Sequence, residues 1–245
     1  MFETMHNATE VNSHYLERVV QASKMRQIEA CEDIYSHTGI KLIAKGSRIS
    51  HDVQERLIIH KLRKPLESCI SVQDGVEMPV LTEIAEKIYA ETPSLHPLLD
   101  IASCLRSLKA IQYNKATSSL LSMQAGHDNS GLHHNVHVAM VAASLASRIG
   151  GGDNSIKAVA VAALLHDIGE LYIDPQYLNQ SRPLTLEEWR HVYVQPVIGH
   201  KLVRGICGIN SEAVDAIYEH HERGNGFGYP RGTTANEQSF AGQIL

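Results

Sequence analysis

NSIKAVAVAALLHDIG, residues 154–169, is an apolar run that ends in an adjacent histidine and aspartate. Five apolar residues recur in it at the spacing of one helix face: Ile156, Val159, Ala160, Ala163 and Leu164. Asp167 continues this face four residues after Ala163, His166 stands beside it, and Gly169 breaks the helix. The pattern predicts a buried helix that brings a carboxylate and an imidazole to the protein core.

Asp167 needs a partner, because an unpaired carboxylate on a core face costs several kcal/mol or becomes protonated. No arginine or lysine lies on the apolar faces of the neighbouring helical segments, but histidines do. In GLHHNVHVAMVAASLASRIG, residues 131–150, His134 shares a predicted face with four apolar residues: Val138, Val141, Ala142 and Leu145. SEAVDAIYEHHE, residues 211–222, carries His220 and His221 near its end.

Two interpretations of these polar residues remain open at this point. A divalent cation held by Asp167 and the imidazoles would satisfy every group at once, and mixed nitrogen and carboxylate ligation suits Mn, Fe or Zn better than Mg or Ca. Alternatively, each side chain is hydrogen-bonded separately within a helical core. An adjacent His-Asp together with an adjacent His-His, each at a helix end and flanked by glycine, favours the metal site.

The composition is that of a globular protein and narrows the classes of function. The chain has 22 Lys and Arg against 27 Asp and Glu, which argues against a nucleic-acid polymer as partner. Its cysteines form no CxxC pair, so we expect reduced thiols at Cys31, Cys69, Cys104 and Cys207. Nine of the 15 histidines lie from His127 to His221, which is modest support for metal chemistry. Without a signal-peptide pattern or a run long enough to span a bilayer, we expect a cytoplasmic protein with no membrane contact.

The segment TPSLHP, residues 92–97, divides two regions of different pattern. In residues 1–92 the periods predict, in order, a helix at 13–30, a hairpin at 32–46, a helix at 50–62 that starts after Ser50, a strand at 66–72 and a helix at 78–91. We interpret this region as a small α+β regulatory module. Residues 98–245 show only helical patterns, so the predicted fold class is mainly α.

In the second region the predicted helices lie at 97–112, 114–125, 131–150, 154–167, 185–206 and 211–222. The fifth opens with the capping-box pattern Thr185 to Glu188 and should kink near Pro196.

Two motifs in this region together resemble the HD-GYP family of bacterial phosphohydrolases, within the wider HD superfamily. They are LLHDIG, residues 164–169, and HHERGNGFGYP, residues 220–230. Their order and spacing are highly specific, and the resemblance covers residues 98–245. It implies an all-helical HD-type domain that holds two or three metal ions, often iron or manganese, and hydrolyses cyclic di-GMP.

The resemblance also implies roles for individual residues. The metal ligands would be His134, His166, Asp167, His220 and His221. Asp167 would bridge the metals, and Asp167 and His166 would form the catalytic pair. The GYP loop would shape the substrate side of the pocket and help place a signalling partner through Gly228, Tyr229 and Pro230. The implied reaction is two-metal hydrolysis, in which a bridging water attacks phosphorus in line.

The sequence departs from the family pattern in four places. Gln195, before Pro196, stands where the family has a histidine ligand, and an amide oxygen binds such metals more weakly. Glu170 stands where the family has a lysine that contacts substrate phosphate, which reverses the charge. In the GYP loop, Asn225 replaces an aspartate and Gly224 an aromatic residue. The chain stops before the family's late metal aspartate, so we expect either a fragment of a longer protein or a domain cut short at its C-terminus.

These departures predict an HD-GYP-type phosphohydrolase with reduced or absent activity that binds from zero to two divalent ions. The alternative is a catalytically inactive HD-GYP-like signalling or binding module. A purely structural helical domain ranks third, because Asp167 lies on a predicted core face. The sequence leaves the signal of the N-terminal module and the oligomeric state open.

Overall fold

Helices make up most of the computed structural model of the chain, which describes residues 10–109, 114–125, 129–206 and 208–245. Two small antiparallel sheets, each of two strands, lie in the N-terminal region. The predicted fold class, mainly α with a small α+β region at the N-terminal end, is therefore confirmed. Cys207 and His127, which the sequence singles out, lie outside the described residues.

The N-terminal region mixes short helices with short strands. In chain order its elements are α1 (Ser13–Ala22), β1 (Ile28–Ala30), β2 (Ile34–Tyr35), β3 (Lys41–Ile43), α2 (His51–Ile59), α3 (Leu66–Cys69), β4 (Ile70–Val72) and α4 (Met78–Glu91). Strand β1 pairs antiparallel with β4, and β2 pairs antiparallel with β3.

Two of the predictions for this region need correction. The predicted helix at 13–30 ends at Ala22, because the residues of β1 pair with β4 instead. The predicted strand at 66–72 is a strand only in its second half, since α3 occupies the first. The predicted hairpin is confirmed, and Gly39 in its turn takes a φ of +88°, which glycine adopts without steric cost.

Beyond α4 the described residues form helices and one isolated bridge, between Asn225 and Thr234. In chain order they are a 3₁₀ turn (Pro93–Leu95), α5 (Ile101–Lys109), α6 (Lys115–Gln124), α7 (Ser130–Arg148), α8 (Asp153–Leu165), a 3₁₀ helix (His166–Tyr172), α9 (Pro175–Leu178), α10 (Leu186–Val192), α11 (Gln195–Val203), α12 (Ser211–Glu219), a 3₁₀ turn (Ala235–Glu237) and α13 (Phe240–Ile244). Helix α8 is central and packs against α5, α7, α12 and α13. Within the parts of the chain that the structure describes, no helix has both the length and the apolar character needed to cross a bilayer.

The predicted helix at 185–206 is interrupted rather than only kinked. Helix α10 ends at Val192 and α11 begins at Gln195, with Pro196 in its first turn, where the missing N–H is not needed. The predicted capping box is confirmed: the Glu188 backbone N–H donates to Thr185 Oγ1 at 3.3 Å, and the Thr185 N–H donates to Glu188 Oε2 at 2.7 Å.

Helix α7 buries a different face from the one that the sequence predicts. Val141 and Leu145, on the predicted face, are 46% and 44% exposed, and His134 is exposed as well. Of the predicted face, Ala142 alone is buried. The other buried residues of the helix are Leu132, Asn135, Val136, Ala139, Met140, Ala143, Ser144 and Ala146. This helix packs against α4, α5 and α8, so contacts on several sides decide its orientation.

The two regions share one continuous hydrophobic core. Helix α6 lies against β4, where the Val72 N–H donates to Ser119 Oγ at 3.1 Å and the Val76 N–H donates to Ser122 Oγ at 2.7 Å. Elsewhere in this shared core, the ring of Tyr15 in α1 stacks on Tyr172 with centroids 4.8 Å apart. The predicted boundary between residues 92 and 98 stays a prediction.

Candidate metal centre

The end of α8 and the 3₁₀ helix that follows it place His166 and Asp167. Asn135 of α7 is buried and donates its side-chain N–H to the Leu164 carbonyl at 2.9 Å, which ties the end of α8 to α7. On the opposite side, the Gly169 backbone lies directly against the start of α11. A Cβ on Gly169 would lie 3.0 Å from the Gln195 carbonyl carbon and closer still to its oxygen. Only glycine allows this approach.

Asp167 lies at the centre of a group of imidazoles. His166 Nε2 is 2.9 Å from Asp167 Oδ2, and His134 Nε2 is 3.6 Å from the same oxygen. His220 Nε2 is 3.9 Å from Oδ1. The structure thus brings together residues of α7, of the 3₁₀ helix and of the segment after α12.

These residues form two groups that could each hold a metal ion. One consists of His134, His166 and Asp167, and the other of Asp167, His220 and His221. Within each group the potential ligand atoms lie within 4.8 Å of one another. Asp167 belongs to both groups, so its two carboxylate oxygens are placed to serve two neighbouring cations.

The hydrogen bonds of two histidines fix which ring nitrogen faces Asp167. His166 Nδ1 lies 2.8 Å from the Ala163 carbonyl, and His220 Nδ1 lies 2.7 Å from the Ile217 carbonyl. A carbonyl only accepts, so each Nδ1 carries a proton and each Nε2 is left to face Asp167. His220 Nε2 is buried without a hydrogen-bond partner, so its lone pair faces the carboxylate and repels it. His166 Nε2 lies within hydrogen-bond distance of Asp167. A cation would remove the repulsion at His220 and take the place of the shared proton at His166, so the residues fit a divalent metal.

The electrostatics of the cluster agree with this fit. Burial, and then the neighbouring His221, lower the pKa of His220 to about 3, so its imidazole is neutral at physiological pH. Burial acts to lower the pKa of His166, but the hydrogen bond and charge of Asp167 outweigh it and raise that pKa. Burial likewise acts to raise the pKa of Asp167, and His166 overrides it in the lowering direction. The carboxylate is therefore ionised and ready to bind a cation.

Gln195 is buried beside the cluster, at the start of α11. Its Nε2 donates to the His166 carbonyl at 3.0 Å and lies 3.4 Å from Asp167 Oδ1. Its Oε1 is buried without a hydrogen-bond partner. The amide thus presents nitrogen, which does not ligate metals, toward Asp167. If the amide rotated so that Oε1 faced the site, the hydrogen bond from Gln195 Nε2 to the His166 carbonyl would be lost.

Glu170 lies one turn beyond Asp167 and is partly buried. Burial, and then the negative charge of Asp167, raise the pKa of Glu170 to about 7. A carboxyl group that is half protonated near neutral pH repels a phosphate less than a full negative charge would. It still lacks the positive charge of a lysine.

Glu222, directly after the two histidines, holds the glycine-rich loop in place. Its carboxylate accepts the backbone N–H groups of Arg231, Gly232 and Thr233 at 2.6, 3.1 and 2.9 Å. A Cβ on Gly228 would lie 2.5 Å from the Glu222 carbonyl carbon, so the loop folds back tightly on the helix end.

This folded loop sets Tyr229 against the cluster. The Tyr229 N–H donates to the His221 carbonyl at 3.1 Å, and the two rings stack with centroids 4.6 Å apart at 23°. Gly228 and Pro230 flank Tyr229 in the chain, and the peptide bond before Pro230 is cis. Tyr229 therefore borders the His221 side of the candidate metal centre.

The sequence pattern of the HD domain family matches residues 101–245, which include every residue of this centre. The chain belongs to the HD domain family. The predicted HD-GYP type is confirmed by this match together with relatives that are cyclic di-GMP phosphodiesterases.

Three characterised relatives illustrate the relationship of this HD domain. A cyclic di-GMP phosphodiesterase of Thermotoga maritima is 29% identical over 220 residues, 89% of this chain and 54% of that protein. A cyclic di-GMP phosphodiesterase of Pseudomonas aeruginosa is 27% identical over 138 residues, 56% of this chain and 33% of that protein. A 3'3'-cGAMP-specific phosphodiesterase of Vibrio cholerae is 30% identical over 112 residues, 46% of this chain and 24% of that protein. The chain thus spans about half or less of the length of these relatives.

Several residues of this HD domain that shape the centre were missed from the sequence. Glu222 was noted only as part of a motif, although a carboxylate before a glycine-rich loop is a natural acceptor for loop N–H groups. Glu219, buried before His220, accepts from Arg231 Nη2 at 2.8 Å and from Ser239 Oγ at 2.7 Å, which joins the loop to α13. Tyr193 contacts Tyr229, and no local pattern reveals a contact between residues so far apart.

Proposed function

We propose that the chain is an HD-GYP-type metal-dependent phosphohydrolase whose substrate is a cyclic dinucleotide such as cyclic di-GMP. The observation that carries the proposal is the shared carboxylate: Asp167 lies between two sets of imidazoles, and the Nε2 atoms of His166 and His220 face it. The names of the relatives support the substrate class.

In this proposal His134, His166 and Asp167 would hold one divalent ion, and Asp167, His220 and His221 would hold a second. Iron and manganese, the metals that the family resemblance implies, both suit this donor set. Bound cations would supply an activated water and neutralise charge on the phosphoryl oxygens. The protein's own part is to fix the ligands, through Nδ1–H hydrogen bonds to backbone carbonyls.

The residues on the substrate side have different parts in the proposal. Tyr229 orients His221 through the stacked rings. Gly228 and Pro230 shape the loop so that its backbone lies close to the phosphodiester, and Glu170 lies where the phosphate would approach.

A second candidate function is a catalytically inactive HD-GYP-like signalling or binding module. Two observations favour it: Gln195 presents nitrogen toward Asp167, and Glu170 is acidic where the family has a lysine. Such a module would keep the fold and the GYP loop as a surface for a signalling protein. We place either function in the cytoplasm, as the sequence predicts.

The deciding experiment measures metal content and turnover in the same preparation. The chain is purified with and without oxygen, loaded with Fe²⁺ or Mn²⁺, assayed for bound metal, and incubated with cyclic di-GMP. Two metals per chain and a linear dinucleotide product would establish the enzyme. Absence of both metal and turnover would refute the enzyme and leave the signalling or binding module.

Two adjacent histidines of α7 provide a matched pair of variants. His134→Ala should lower bound metal and activity, because His134 belongs to one ligand group, whereas His133→Ala should leave both unchanged. Gln195→His combined with Glu170→Lys should raise metal content or turnover, because it restores an imidazole and a positive charge. No gain in either quantity would favour the binding module.

A further inference from the structure

Four rings form a continuous row from the protein surface to the metal centre. Trp189 stacks on Tyr193 with centroids 5.3 Å apart at 29°, and Tyr193 lies 4.5 Å from Tyr229 at 53°. Tyr229 in turn stacks on His221. We name Trp189, Tyr193, Tyr229 and His221 the aromatic row. Its inner end is a candidate metal ligand, and Tyr193 lies only two ring spacings, of 4.5 and 4.6 Å, from that ligand.

The outer end of the aromatic row is open to solvent. Trp189 is 36% exposed and Tyr193 is 43% exposed, although both are large aromatic residues. Helix α10, which carries Trp189, has no fully buried residue. The two rings therefore do not serve as core of this helix.

Other contacts hold α10 in place. Its first turn has the capping box of Thr185 and an ion pair between Arg182 Nη2 and Glu188 Oε1 at 2.6 Å. Near its end His191 stacks on Tyr177 with centroids 5.2 Å apart. These contacts hold the helix without the solvent-exposed parts of Trp189 and Tyr193. Those exposed parts are therefore available to a ligand.

We propose that Tyr193 and Trp189 form a base-stacking subsite, which holds one nucleobase of the cyclic dinucleotide while its phosphodiester lies at Asp167. The inference rests on the proposed function, because the row leads to the centre where the phosphodiester would be cleaved. Aromatic side chains bind bases by stacking, and this attraction is tolerant of base identity because every base has a π face. The subsite would therefore favour any ligand with a flat base over a bare phosphodiester.

The test uses Trp189 as its own reporter, because it is the only tryptophan of the chain. The full-length, Mn²⁺-loaded protein is titrated with cyclic di-GMP and, separately, with dimethyl phosphate, a phosphodiester without a base. We expect a saturable change in tryptophan fluorescence with cyclic di-GMP and none with dimethyl phosphate.

Three variants separate stacking from general packing. Tyr193→Leu keeps apolar volume but removes the ring, and we expect it to raise the Kd for cyclic di-GMP roughly tenfold, the effect of losing one stacked base. Tyr193→Phe keeps the ring and should bind as the parent does. Leu186→Ala, in the same helix and 83% exposed, removes exposed apolar surface outside the row and should also bind as the parent does.

Each of the remaining outcomes overturns the base-stacking subsite. If cyclic di-GMP is hydrolysed but Tyr193→Leu keeps the parent Kd and Trp189 does not respond, the subsite is wrong and the proposed function stands. If neither metal nor nucleotide binds, both are wrong. A fluorescence change that follows protein concentration but not nucleotide would assign the exposed rings to a contact between copies of the chain.

Discussion

Replacing Gly169 by alanine should separate the two backbones that build the metal centre. The added Cβ would lie 3.0 Å from both the Gln195 carbonyl carbon and the Gly199 nitrogen, and closer to the Gln195 oxygen. All three are backbone atoms of α11, so no side-chain rotation can relieve the contact. The start of α11 has to move away from the 3₁₀ helix that carries Asp167.

Forcing one extra carbon into a closely packed site costs about 1–3 kcal/mol. Alanine also restricts the unfolded chain, which returns about 0.4–1 kcal/mol, so we expect a net loss of about 1–2 kcal/mol. For a chain of this length that corresponds to a fall in Tm of a few degrees, roughly 2–8 °C. The same displacement should lengthen the hydrogen bond from Gln195 to the His166 carbonyl and weaken metal binding.

Gly205→Ala is the matched control, because a Cβ on Gly205 would meet nothing within 4 Å. Both variants are compared with the parent by thermal unfolding without metal, and then by titration with Mn²⁺. Gly205→Ala should leave Mn²⁺ affinity unchanged and raise Tm by roughly 1–4 °C, because only the restriction of the unfolded chain applies there. If Gly169→Ala matched it in both measurements, the close approach of the two backbones would not determine the geometry of the centre.

Three further predictions concern charge, thiol reactivity and the loop. The side-chain hydrogen bond from Arg182, and then the Thr185 N–H, lower the pKa of Glu188 from 4.5 to about 2. The stability that ionised Glu188 contributes is therefore present above pH 4.5 and is lost as the pH falls toward about 2. Glu188→Gln should flatten the fall of Tm with acidification over that range, and an unchanged slope would contradict this. Burial raises the pKa of the Cys104 thiol to about 12, whereas Cys31 is exposed. Iodoacetamide should therefore label Cys31 in the folded protein and Cys104 only after unfolding, as peptide mass spectrometry would reveal. Equal labelling rates at the two cysteines would refute this prediction. Glu222→Gln should weaken the charge-assisted hydrogen bonds to the loop and speed hydrogen exchange of the three amides that it holds, and unchanged exchange would show that the loop is fixed by other contacts.

Local patterns determine the elements that the sequence predicts well. The hairpin of β2 and β3 and the capping box of α10 depend on residues close together in the chain, and both are confirmed. Strand β1 was taken for helix because its partner, β4, lies far along the chain. Helix α7 was given the wrong buried face because three neighbouring helices compete for it, and a single apolar stripe does not describe such a helix.

The composition of the centre is more predictable than its geometry. Asp167 and the four histidines were identified from motif order and from polar residues on helical faces, and the structure brings them together. The orientation of the Gln195 amide was not predictable, because it depends on which carbonyl lies opposite. The contact of Tyr193 with Tyr229 was not predictable either, since it joins two segments that only the fold brings together.

The proposed enzyme requires bound metal, and the structure gives that requirement a physical basis. A buried imidazole nitrogen without a partner, such as His220 Nε2, costs about 1–3 kcal/mol in a protein that binds nothing there. Asp167 adds a partly buried negative charge, directly opposite that lone pair. A cation would turn both unfavourable groups into ligands, so the arrangement fits a divalent metal whether or not the chain turns over a substrate. Catalysis then depends on Gln195 and Glu170, whose side chains do not reproduce an imidazole ligand or a phosphate-binding cation.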